Sequence, residues 1–213
     1  QHALKAGSKD DVVPFEQAWT ALKVAKVASV LETAIWQGDT GSGNANLNQF
    51  DGFIKIVDAE AAIDGNVGGV TAITGVTAAN VIAILDGMYQ SIPLSVLESG
   101  DVKIMVGFDM YRLYTQALKD ANLYHYSADS SNFSIALAGT DVEIVALQGL
   151  STTDRIFAGK PENFVIGTDL ANEEEEFDVW YSKEDKIVKL DMAFKYGCQV
   201  AFPAEIVEFS LEA

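Results

Sequence analysis

Residues 35–53 read Ile35-Trp36-Gln37-Gly38-Asp39-Thr40-Gly41-Ser42-Gly43-Asn44-Ala45-Asn46-Leu47-Asn48-Gln49-Phe50-Asp51-Gly52-Phe53. The first three close a run of apolar residues at helical spacing, and Gly38 ends it, as glycine commonly does just past the last helical turn. The stretch from Gly38 to Asn44 is dense in turn formers. Glycines so placed could present backbone N–H groups to a phosphate. However, no GK[ST] follows them, and they come after a helix where a phosphate loop should follow a strand, so the stretch reads as a connection. Upstream, Pro14 suits a first helical position, and Phe15, Trp19, Leu22, Val24, Val27, Leu31 and Ile35 recur at largely helical spacing. The predicted helix of about 22 residues is roughly 33 Å long at 1.5 Å per residue. Its apolar residues cover more than one face, with Val24 and Val27 beside Leu22, which predicts contacts on two sides, one of them against a neighbour. Residues 1–13, with Gly7-Ser8-Lys9-Asp10-Asp11, carry no periodicity and read as a flexible arm.

Downstream, Phe53-Ile54-Lys55-Ile56-Val57 reads as a short strand and Ala61 to Gly75 as a glycine-rich loop or a weakly paired excursion. Thr77 is the expected N-cap of a second helix with an apolar stripe of Val81, Ile84, Leu85 and Met88, stopping before Pro93. A helical turn at Leu94–Leu97 ends at Gly100. Val102–Val106 reads as a buried strand, and Asp109 as the cap of a third helix carrying Met110, Leu113, Tyr114 and Leu118. Strands are then expected at Phe133–Leu137, Val142–Ala146, Arg155–Ala158 and Phe164–Gly167, with a hairpin pairing Phe177–Tyr181 and Lys186–Leu190. Every even position from Val188 to Phe202 is apolar. As one strand over 187–202 this would span about 53 Å at 3.3 Å per residue, with Gly197 as the place for a bulge. The sum is an elongated α+β protein.

The 213 residues are 49% hydrophobic and 21% charged, an ordinary globular composition. No run of 18 apolar residues occurs, and Gln1-His2-Ala3-Leu4-Lys5 lacks the apolar core of a signal peptide, so a soluble protein without membrane contact is expected. Cys198 is the one cysteine, which excludes an internal disulfide and a multi-cysteine metal site. Fourteen basic against 31 acidic residues give a net charge of −17, and only Arg112 and Arg155 supply guanidinium groups. This disfavours nucleic-acid binding as a primary function. Catalytic chemistry is equally thin. His2 lies in the arm, and His125, in Leu123-Tyr124-His125-Tyr126, has no second histidine and no nucleophile motif with it. Cys198 falls on the apolar face of the long strand and reads as an inert thiol. Glu173-Glu174-Glu175-Glu176 cannot all converge on one cation, so it reads as a solvated turn. Asp178 and Asp191 are a carboxylate pair that spacing alone does not place in a cleft. Trp19, Trp36 and Trp180 read as packing or interface anchors. No catalytic residue, cofactor or metal is expected.

A long helix ending in Ile35-Trp36-Gln37-Gly38-Asp39, a Gly/Asn loop and Leu47-Asn48-Gln49-Phe50-Asp51-Gly52-Phe53 together resemble the tailed-bacteriophage major capsid protein family. So do the order of elements that follows, the helix opening Gly107-Phe108-Asp109-Met110-Tyr111-Arg112, and the closing run from Lys195 through Pro203 to Val207. The resemblance covers about residues 14–211. It implies a spine helix and long strands in a peripheral domain (14–77 and 158–213), and an axial domain (78–157) that meets its copies at five-fold and six-fold centres. It marks Trp19, Trp36, Gly38, Asp39, Gly52, Tyr111, Arg112 and Pro203 as residues of interface or architecture. It also implies a shell subunit enclosing double-stranded DNA, assembled in a bacterial cytoplasm into hexamers and pentamers with scaffold, protease and portal proteins as further partners, and located in the virion. Members of that family carry an arm and an extended loop before the spine helix. This chain begins almost at the helix, so it is expected to be the spine-to-terminus part of a longer subunit. An encapsulin-like compartment shell, which shares the fold, and a small α+β hydrolase are the alternatives.

Overall fold

The computed structural model describes residues 15–65, 75–123, 133–168, 176–182, 184–185, 187–193 and 195–211. The arm, His125 and Glu173–Glu175 lie outside them. The first helix, α1 (Phe15–Gln37), has the expected extent. Its two halves differ in surroundings: 21–26 and 28 are exposed, whereas Ala34 and Trp36 are buried.

Residues 53–57 do not form the expected strand. They belong to a helix, α2 (Phe53–Ala59), entered from extended backbone at Gly52. Periodicity explains the difference. A strand would put Phe53, Lys55 and Val57 on one face, whereas a helix brings Phe53 and Val57, four apart, into the core and turns Lys55 away. A short strand, β1 (Ile63–Asp64), follows at the start of the stretch read as a loop or weakly paired excursion, of which 66–74 lie outside the described residues. The next helix, α3 (Val81–Ser91), buries all four stripe residues. Its N-cap position is Asn80 rather than Thr77: the Thr77 carbonyl accepts from the Asn80 and Val81 N–H groups, and the Asn80 side chain accepts from the Thr77 N–H at 2.7 Å. After α4 (Leu94–Glu98) and a turn with Gly100 at φ 72°, β2 (Lys103–Gly107) runs directly into α5 (Phe108–Asp120). Asp109 therefore sits inside the first turn instead of capping it. Its Oδ2 accepts from the Thr152 N–H at 3.0 Å.

Three more strands, β3 (Ser134–Ala136), β4 (Glu143–Leu147) and β5 (Ile156–Gly159), precede β6 (Phe164–Thr168), and the chain closes with β10 (Val207–Phe209). Six of these strands form one sheet in the order β1-β10-β5-β2-β4-β3, in which β1/β10 and β2/β4 are parallel and the other pairs antiparallel. Alternation along β2 shows how the sheet divides the core. Ile104 and Val106 join Ile84, Met88, Met110, Tyr114 and Ile144 under α3 and α5, while Met105 faces Trp36, Phe53, Val57 and Phe157 on the side of α1 and α2. The sheet is thus covered on both faces.

The expected single strand over 187–202 is two. β8 (Ile187–Ala193) pairs with β7 (Glu176–Ser182), and β9 (Tyr196–Val200) pairs with β6. A strand of 16 residues needs partners along its whole length, and here each half has its own antiparallel partner. The break comes before Tyr196, while Gly197 stays in register opposite Gly167 without a bulge. Alternation persists within β9: Gly197 and Gln199 are exposed, whereas Tyr196, Cys198 and Val200 are partly or fully buried.

Candidate functional site

The end of α1 is where the sequence reading concentrated its architectural residues. Trp36, 6% exposed, is ringed by Phe53, Phe157 and Phe164 with centroids 5.2, 5.7 and 5.4 Å away, so one indole ties α1 to α2, β5 and β6. Directly after it, Gly38 and Gly52 touch backbone to backbone. The Gly52 N–H donates to the Gly38 carbonyl at 2.9 Å, and the Gly38 N–H donates to the Ala34 carbonyl at 2.8 Å. A Cβ on Gly38 would stand 2.5 Å from the carbonyl oxygens of Ala34 and Phe50, and one on Gly52 2.6 Å from the Gly38 nitrogen. Neither position has room for a side chain, and the atoms in the way are main chain.

Outside this contact lies a polar knot. Lys55 Nζ donates to Asp39 Oδ1 at 2.7 Å and to Asp51 Oδ1 at 2.8 Å. Asp51 also accepts from the Thr40 N–H and hydroxyl, and Asp39 from the Gly41 N–H. Hydrogen bonding from Lys55 is the main reason Asp51 is held down at about 2 and Asp39 below its ordinary value; the same two carboxylates raise Lys55. These bonds fold the Gly/Asn loop back on itself. The loop presents no cluster of free N–H groups to a phosphate.

On its other side α1 grips the 3-10 turn Gln148–Leu150 that follows β4. Glu32 Oε1 accepts from the N–H groups of Gln148 (2.9 Å) and Gly149 (3.3 Å), Gln37 Nε2 donates to the Gly149 carbonyl (2.7 Å), and Gln148 Nε2 donates to Ser29 Oγ (2.7 Å). The Trp36 ring fills the space where a Gly149 side chain would be. An open groove of about 590 Å³ runs beside the helix between Leu31, Phe50, Gly167, Thr168 and Tyr196. No pair of carboxylates and no nucleophile–base pair lies in it.

Trp36, Gly38, Asp39 and Gly52 therefore meet at one place, and the other marked residues do not join them. Trp19 is half-buried further up α1 with Lys23 Nζ 5.6 Å from its ring centre. Tyr111 is half-buried on α5, edge-on to Phe133 at 6.5 Å, with burial raising its hydroxyl pKa; Arg112 beside it is exposed. Pro203 opens the 3-10 turn Pro203–Glu205 before β10. Cys198 is half-buried, its thiol directed to the Ile35 carbonyl at 3.7 Å and pushed up to about 11 by burial, which suits an unreactive group. Asp178 and Asp191 are register partners across the β7–β8 hairpin. Among the described residues no three His, Cys, Asp or Glu side chains are placed to hold a metal ion, and no helix is long and apolar enough to cross a membrane. Glu32 and Lys55 were not singled out from sequence. Asp51 precedes the extended N-cap Gly52, so its pairing with Lys55 comes from the chain's entry into α2 and not from a spacing within a helix.

No protein-family model matches the chain and no curated protein matches its sequence. Solved structures do match its fold. A chain of the satellite phage P4 procapsid including size determination (Sid) protein superposes with a TM-score of 0.63 at 14% identity, over 93% of this chain and 64% of that one. A chain of the cyanophage A-1(L) capsid asymmetric unit aligns at 0.52 with 12% identity (92% of this chain, 69% of that one), and one from the capsid of an empty GTA particle at 0.50 with 13% identity (92% and 72%). The chain thus has the fold of phage capsid proteins, the fold class its sequence resemblance implied. It spans about two thirds of the length of these chains.

Proposed function

We propose that the protein is a structural subunit of a phage or prophage capsid, assembling with copies of itself into a closed icosahedral shell around double-stranded DNA. The fold shared with capsid chains over nearly the whole of this sequence carries the reading. The exposed first half of α1 agrees with it. In this reading 14–77 and 158–213 act as the peripheral part and 78–157 as the axial part. Trp19, Tyr111, Arg112 and Pro203 lie at or near contacts between copies, whereas Trp36, Gly38, Asp39 and Gly52 shape the subunit. The role is non-enzymatic, the place of action is the virion, and assembly takes place in the host cytoplasm, with scaffold, protease and portal proteins as further partners. Closed symmetric rings reuse one surface many times, so each contact can be weak.

Electron microscopy of the protein, expressed with whatever flanking sequence its gene supplies, tests this reading. Rings or shells are expected; a discrete monomer at high concentration would overturn it. Shells that enclose a protein cargo and no DNA would favour the encapsulin-like alternative.

A further inference from the structure

Arg155, just before β5, has a side chain only 18% exposed, and its Nη2 reaches carboxylates on two other elements: Asp58 in the last turn of α2, and Glu208 of β10 with Oε1 at 2.9 Å. The Glu208 side chain is 13% exposed. Alternation along β10 sends Val207 and Phe209 into the core under α3 and α5. Glu208 is thereby left on the opposite face, and its register partner in β5 is Phe157. On its other flank β10 pairs with β1, where Asp64 is the register partner of Glu208. Asp58 and Glu208, from α2 and β10, thus share a single guanidinium, and Asp64 of β1 stands beside Glu208 in the strand register. Asp58 and Asp64 are exposed, so Glu208 is the one of the three carboxyl groups withdrawn from water, and ionising it places a second negative charge on a guanidinium already paired with Asp58. The edge it secures is slight. β1 has two residues, joined to the strand region before and within β10 by the Ile63 N–H to the Ile206 carbonyl (2.8 Å) and the Gly65 N–H to the Glu208 carbonyl (2.7 Å).

We propose that Arg155, Asp58 and Glu208 form a proton-dependent buckle that fastens α2 and the β1–β10 edge to the sheet, closed while Glu208 is protonated and loosened when it ionises. In the closed form the Glu208 hydroxyl donates to the Asp58 carboxylate while Arg155 holds both groups; on opening, the proton leaves to solvent. Burial is the main cause that raises Glu208 to about 7; Asp58 and Asp64 add to it, and Arg155 opposes it. For an acid whose folded-state pKa lies above its unfolded value, the folded state binds the extra proton. The stabilisation is therefore full below about 4.5 and is lost as pH rises toward and past 7.

Two measurements on the whole chain test the buckle. Carboxyl-carbon NMR should place the Glu208 midpoint near 7, and Asp64→Asn should lower it. Denaturant titrations should give a folding constant that falls about 10- to 100-fold between pH 5 and pH 8. This fall should be missing in Glu208→Gln, and the Ile63 and Gly65 amides should lose protection at pH 8 once intrinsic exchange is corrected for. A wild-type Glu208 midpoint near 4.5, or an unchanged pH slope in Glu208→Gln, would overturn the proposal. Should Glu208→Gln fail to fold, the wild-type NMR titration decides alone.

Discussion

Gly38 and Gly52 are required by proximity and not by backbone conformation. Gly38→Val would drive methyl groups into the Ala34 and Phe50 carbonyls, which cannot move without breaking the end of α1. The expected loss is about 3 kcal/mol, read as a lowered melting temperature and a lower folded yield. His125→Ala should leave assembly intact. The polar knot has a pH signature of the opposite sign to that of Glu208. Because Lys55 depresses Asp51 to about 2, its stabilisation is present above the ordinary carboxylate value and is lost as pH falls from about 4 toward 2. Asp51→Asn should flatten the acid limb of a stability-versus-pH curve in that window; an unchanged limb would assign acid sensitivity to other carboxylates. These residues were only partly legible in advance. The glycines announced themselves as punctuation. Their mutual contact joins positions 14 apart in the chain, and that no local rule supplies.

Among the elements, the clasp between α1 and the turn after β4 sets the angle at which the long helix leaves the sheet. Glu32 provides its only carboxylate among the described bonds, accepting two backbone N–H groups. Glu32→Ala should cost about 1 kcal/mol, with faster hydrogen exchange at the Gln148 and Gly149 amides as the local readout. Equal exchange in both proteins would mean that Gln37 and the Trp36 packing hold the joint unaided. Helices with one apolar stripe were readable from sequence: α3 buries all four residues its spacing selects, and α5 buries Met110, Tyr114 and Leu118 while Leu113 stays partly exposed. Elements whose apolar residues are nearly continuous were not. Phe53 to Val57 satisfies both periods over five residues, and only the solvation of Lys55 decides between them. The alternation from 188 to 202 was likewise real, but it records which face is apolar and is blind to a change of partner strand midway. Asp109 and Thr77 looked like caps by residue type, whereas the polar partners that fix them, Thr152 and Asn80, lie where tertiary structure or a preceding turn puts them.

At the scale of the whole molecule, a net charge of −17 opposes the approach of like copies and is screened by salt within about 10 Å at 0.1 M. In the proposed role an acidic inner wall would leave packaged DNA unbound. A strongly basic inner surface in an assembled shell would contradict that. The resemblance read from the order of motifs gave the class of fold, while the layered sheet with helices on both faces emerged only from long-range pairing, above all β1 with β10. The exposed half of α1 carries one more consequence. Residues 21–26 and 28 are helical with almost no tertiary cover, Leu22 being 73% exposed, and a short stretch of helix without packing is marginal in water. In the proposed role of shell subunit, that half-helix should fray and rewind in a free copy, and the contact of a neighbour should lock it. Circular dichroism at 222 nm should therefore deepen as copies associate, so that the molecule carries its own optical gauge of assembly; a signal independent of concentration across the transition would show that the helix stands complete without its neighbours.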